Sequence, residues 1–150
     1  QGYSSAASDV YKRQTTPRAY IQETCLQCHK DKTEAQMNKV LDSMNAHYNG
    51  KLREAEASMG QMFIAFRQAN DAGVDPAVIK QAQDLHSVAH TNWEWWTASN
   101  GSWFHNMPQA KESLAKSVAA SQKATKLLRD AVAAKVAAQA QPQAQQTAQK

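Results

Sequence analysis

The chain has 150 residues, with 17 Lys and Arg against 13 Asp and Glu for a net charge of +4. That length suits one domain with a sizeable core, while the charge excess is too mild and dispersed for a nucleic-acid footprint, and no run of about 18 apolar residues exists to span a membrane. Alanine and glutamine are abundant, branched aliphatics are scarce, and there are only 5 Gly and 4 Pro, a balance that favours helices over sheet.

Residues 1–14 show no hydrophobic periodicity and no capping signal. Their end, Ser-Ala-Ala-Ser-Asp-Val-Tyr-Lys-Arg-Gln, resembles a translated linker peptide, so these residues are set outside the fold as linker-derived or disordered. No signal peptide is present in them, and the true N-terminus is expected to lie upstream.

Residues 15–32 form the segment around Cys25-Leu26-Gln27-Cys28-His29. Two thiols at this spacing can bond to the two vinyl groups of one haem, and the following histidine then lies beneath the iron as its axial ligand. Cys25 and Cys28 are the only 2 cysteines, so no disulfide framework competes for them. A thioredoxin-like redox motif would follow a strand, and nothing near Cys25 alternates like one. A structural zinc site wants four ligands, and the other histidines (His47, His86, His90 and His105) are not spaced like the second half of a zinc finger. If the cysteines hold zinc or nothing, the reading that remains is a non-haem helical docking module.

Thr33 and Gln36 make a capping box that predicts a long helix to about Ala72. Its apolar stripe is Met37, Leu41, Met44, Tyr48, Leu52, Ala55, Met59, Met62 and Phe66. The mean step is close to the helical repeat, giving one straight face. The methionines read as core filler rather than iron ligands, and His47, at the border of the stripe, as a partly buried, hydrogen-bonded histidine.

Gly73 suits a left-handed helix end; Asp75 then caps a second helix with Pro76 at its first position. Val78, Ile79, Ala82, Leu85, Ala89, Trp93 and Trp96 line one side, and the helix stops near Asn100-Gly101. His86 and His90 are four apart and share a face, as in a two-histidine metal pair. With no third histidine or carboxylate recognised beside them, a structural role is expected. The cluster Trp93, Trp95, Trp96 and Trp103 fills either a helix–helix seam or the edge of a haem. His105 lies in a loop beside Phe104, and on composition alone it reads as a hydrogen-bonded loop histidine. Pro108 opens a third helix carrying Leu114, Val118, Ser121, Thr125, Leu128, Val132 and Val136 on one side. Short loops make successive helices antiparallel. The domain is expected over 33–137, followed by a disordered Gln/Ala-rich tail over 138–150. The fold class is all-α: a c-type haem motif and then three long antiparallel helices.

The haem motif, the long helix, the segment from Trp93 to Phe104-His105-Asn106 and the closing helix together resemble the C-terminal part of ammonia-forming cytochrome c nitrite reductases, pentahaem enzymes of the periplasm. The resemblance covers roughly residues 15–137. It implies that Cys25, Cys28 and His29 are the fifth and last haem site, with haem c attached through both thiols and His29 as proximal ligand. It implies that His105 is the distal ligand of the neighbouring fourth haem, reversing the composition-only reading. It also implies a homodimer through the long helices, a quinol-linked cytochrome as electron donor, and nitrite and calcium bound by the parent enzyme only. Its periplasmic location requires a signal peptide lost with the missing N-terminus. Pro17 matches a family proline ahead of the last motif. Lys12 stands where the family has a histidine ligating the second haem, as if the leader had replaced it. The segment from Trp93 to His105 is about two residues shorter than in the family. The Cys-x-x-Cys-Lys motif of the catalytic haem is absent, so this fragment is expected to relay electrons and to be inactive alone. An octahaem nitrite or hydroxylamine-type cytochrome sharing this helical end is the alternative.

Overall fold

The computed structural model describes the backbone of residues 17–98 and 104–147 and the side chains of residues 18–98 and 104–140. Residues 1–14, Lys12, the helix stop at Asn100-Gly101 and Trp103 lie outside the described residues. A 3-10 turn, Pro17–Tyr20, leads into the single-turn helix α1, Ile21–Thr24. Three long helices follow: α2, Glu34–Asp71; α3, Pro76–Ala98; and α4, Met107–Thr147. No strand occurs among the described residues, and the all-α class read from composition holds.

The helix boundaries follow from local chemistry. The Thr33 side chain accepts from the Gln36 amide at 3.2 Å, and Gln36 Oε1 accepts from the Thr33 amide at 2.8 Å, closing the capping box. Two otherwise orphaned amides are thereby satisfied at the start of α2. At its other end Gly73 takes φ +63°, and the Val74 amide reaches back to the Ala69 carbonyl at 3.0 Å. The Asp75 carboxylate then accepts from the Ala77 amide at 2.8 Å, starting α3 with Pro76 where no amide is needed. Lys135 of α4 donates to the Gly73 carbonyl, tying this turn to the last helix.

Two buried clusters fix the helix directions. One joins Met59, Met62, Ala65 and Ala69 of α2, Ala82 and Ala89 of α3, and Ala120, Ala124 and Leu128 of α4. The other joins Tyr48 and Ala55 of α2, Trp96 of α3, and Ala110 and Leu114 of α4. From one cluster to the other α2 runs one way, α3 returns and α4 runs with α2. Each helix is therefore antiparallel to the next, and α4 packs along both of the others. The buried face of α4 includes Ala110, Leu114, Ser117, Ser121, Ala124 and Leu128, a near-helical repeat dominated by small side chains. Small residues let backbones approach closely and make van der Waals packing the main cohesive force. The predicted stripes supply most of this core, whereas Val136 is 57% exposed.

Two expectations are revised. The backbone of α4 is helical to Thr147, past the residue 137 boundary and into the segment expected to be disordered. Alanine and glutamine are strong helix formers, so the composition that suggested fraying also supports a continuing helix. His47 is exposed rather than partly buried. It lines an open groove of about 370 Å³ between α2 and α4, with Lys51, Glu54 and Lys111.

Candidate haem-attachment site

The Cys25–His29 segment is built from consecutive tight turns. Cys25 closes α1, its amide donating to the Ile21 carbonyl at 2.9 Å. The Cys25 carbonyl accepts from the Cys28 amide at 3.3 Å and from the His29 amide at 2.9 Å. The second of these is a helical i→i−4 bond. In such a turn, residues three and four apart lie on one side. The backbone therefore groups Cys25, Cys28 and His29, while Leu26 turns toward the core.

The segment is anchored by a small apolar cluster of Ile21, Met37 and Leu41, with Cys25, Leu26 and Phe104 packed around it. Ile21 is 2% exposed. Gln22 donates to Glu34 at 2.9 Å and Arg18 pairs with Asp42, so polar contacts tie the segment to α2. Cys25 is half-buried, Cys28 and His29 are exposed, and both thiols are free. Just beyond, Lys32 donates to Asp31 at 3.0 Å, and this hydrogen bond holds the Asp31 carboxyl below its ordinary value.

Phe104 connects this segment to the bundle. It packs against the Ile21–Met37–Leu41 cluster and also against the cluster of Tyr48, Trp96 and Leu114. The chain thus brings Phe104, and with it the exposed His105, to the same end of the molecule as Cys25. Of the tryptophans described, Trp96 is 2% exposed and fills the helix seam with half-buried Trp93, whereas Trp95 is 70% exposed. The buried Tyr48 hydroxyl donates to the Trp96 carbonyl, and burial raises the Tyr48 pKa above its ordinary value of 10.0. Helix–helix packing accounts for Trp93 and Trp96.

His86 and His90 lie along α3 away from these cysteines. The reading that they lack a neighbouring carboxylate is corrected: His90 Nδ1 is 3.5 Å from Glu94 Oε2. The spacing of His86, His90 and Glu94, each four residues from the next, carried this signal and was missed. The sequence marks Phe104 only as part of a motif, and its anchoring role depends on contacts between distant segments.

The donor set fits haem better than zinc. Among the described residues, no three His, Cys, Asp or Glu side chains meet as a metal-ion cluster. Two free thiols and an imidazole grouped by one turn match what the attachment motif of a c-type haem supplies, two covalent links and one iron ligand.

An all-helical chain with this motif falls among the c-type cytochromes, and the comparison with known families is specific. The chain belongs to the cytochrome c552 family, whose model matches residues 8–150. Membership implies haem c as cofactor. The chain is also similar to cytochrome c nitrite reductase subunit NrfA of Nitratidesulfovibrio vulgaris (strain Hildenborough), at 33% identity over 114 residues. That match covers 71% of this chain and 21% of the relative, so the chain spans about a fifth of the length of the curated protein it matches.

Proposed function

We propose that the chain is the C-terminal, haem-bearing, electron-relaying part of a periplasmic multihaem reductase that converts nitrite to ammonium with six electrons. The observation that carries this reading is the grouping of Cys25, Cys28 and His29 on one turn, beside the Phe104-His105 segment. The family match and the resemblance to a nitrite reductase subunit support it.

Cys25 and Cys28 would hold haem c covalently through their thiols, and His29 would supply an imidazole to its iron. When bound, haem c provides a one-electron couple. His105 would offer its imidazole to the iron of a second haem, carried by a neighbouring part of the parent protein. Phe104 positions His105 by packing into both clusters. The long helices hold this end of the molecule rigid and form the homodimer surface. A quinol-linked cytochrome delivers electrons, and the catalytic haem, the calcium site and the nitrite-handling residues belong to the upstream part of the parent. Without them this fragment is inactive.

The His105 assignment gives the test. In the full-length protein, His105→Ala leaves one haem five-coordinate and high-spin, read by optical and electron paramagnetic resonance spectra. An unchanged all-low-spin complement of bis-histidine haems contradicts the distal-ligand role. Extending the gene upstream separates the two parents: five haem motifs including one Cys-x-x-Cys-Lys support the pentahaem enzyme, and eight support the octahaem type.

A further inference from the structure

His105 is exposed, so its place is set by its two chain neighbours. On one side Phe104 packs against the cluster of Tyr48, Trp96, Ala110 and Leu114. On the other side the Asn106 carbonyl accepts from the Ala110 amide at 3.1 Å, in the first turn of α4. Both neighbours therefore lean on the same cluster, and His105 is held only as firmly as that cluster is.

Inside the cluster one polar contact joins α2 to the end of α3. Tyr48 is 6% exposed, and its hydroxyl donates to the Trp96 carbonyl. α3 ends at Ala98, so this carbonyl is one of the four that a helix end leaves without an intrahelical amide. Burial raises the Tyr48 pKa, which keeps the hydroxyl protonated and able to donate. A phenylalanine would fill the same space. The hydroxyl adds direction, because a hydrogen bond holds only over a narrow range of distance and angle.

We propose that Tyr48 is a positioning residue for His105: its hydroxyl pins the end of α3, fixes the seat of Phe104, and so holds the His105 imidazole where it can reach iron. This inference rests on the reading of His105 as an iron ligand. Tyr48 acts through Trp96 and Phe104, not on the iron itself.

The test is carbon monoxide binding to the reduced full-length holoprotein, followed by stopped-flow absorbance. Carbon monoxide must wait for His105 to leave the iron, so the rate of that phase reports how firmly the imidazole is held. His105→Ala identifies the phase by removing the wait. Tyr48→Phe keeps the ring and its packing, and should speed the phase about threefold to tenfold, the factor that one buried hydrogen bond typically carries. Leu128→Ala weakens the other buried cluster and leaves the rate unchanged, so a general loss of stability does not imitate the effect. Circular dichroism verifies that the variants remain helical. An unchanged rate in Tyr48→Phe, while His105→Ala still removes the wait, overturns the positioning role and leaves the ligand reading intact. Equal acceleration in Tyr48→Phe and Leu128→Ala overturns it too, reducing Tyr48 to a core side chain. If His105→Ala changes no phase, the ligand reading falls and the positioning role falls with it.

Discussion

The attachment segment and the helical bundle are stabilised in opposite ways. The bundle closes on itself: three helices share two buried clusters, and α4 presents alanines and serines that let it pack closely along both partners. The attachment segment has one deeply buried side chain, Ile21, together with a few surface hydrogen bonds to α2. Exposed ion pairs such as Arg18–Asp42 contribute little, typically below about 1 kcal/mol. The bundle is held by extensive buried packing, whereas the segment is held by one small apolar cluster and a few surface contacts. Under the proposed function the segment accepts a covalent haem, and a region that does so cannot also be filled by its own side chains.

Substitutions in the two regions should separate them. The largest effect is expected in the bundle. Leu114 is 1% exposed and touches the seam shared by all three helices, so Leu114→Ala should cost about 2–5 kcal/mol in denaturant unfolding. A loss well below 1 kcal/mol would mean that the seam is loosely packed. Thr33 lies at the junction of the two regions. Thr33→Ala removes the capping hydroxyl and should cost roughly 0.5–2 kcal/mol, with increased amide exchange confined to the first turn of α2. Ile21→Ala should have the smallest global effect, within about 0.5 kcal/mol, because the segment can open without unfolding the helices. Its local effect should be clear: the amides of Cys25, Leu26 and His29, which donate within this turn, lose protection from hydrogen exchange. A large global loss in Ile21→Ala would merge the two regions into one cooperative unit.

Among the described residues, the buried Ser117 and Ser121 hydroxyls have no hydrogen-bond partner, nor do the indole nitrogens of Trp93 and Trp96. This places unpaired polar groups inside a core whose close packing otherwise stabilises it. Each such group costs about 1–3 kcal/mol when left unsatisfied.

The elements most legible in the sequence are those governed by local chemistry. Thr33 and Gln36 announced α2, Gly73 its end, and Asp75 and Pro76 the start of α3, because each acts within four residues of itself. The stripe from Met37 to Phe66 was legible because helical burial repeats with the backbone. Features that depend on distant contacts were not. Phe104 lies between the attachment segment and the bundle only because α3 returns the chain to the first half of α2. His47 borders the stripe in sequence, yet its side chain is exposed beside an open groove. The tail shows a different limit: the same alanine and glutamine content is compatible with a helix or with disorder, and local propensity alone does not choose between them.

The central claim is that Cys25 and Cys28 carry covalent haem with His29 as its ligand. Intact-mass measurement of the denatured chain, produced together with the haem-attachment machinery, tests it most directly. The expected result is a mass increase of one haem that disappears in the Cys25→Ser, Cys28→Ser double variant. A soluble, helical chain of unmodified mass under the same conditions would contradict it.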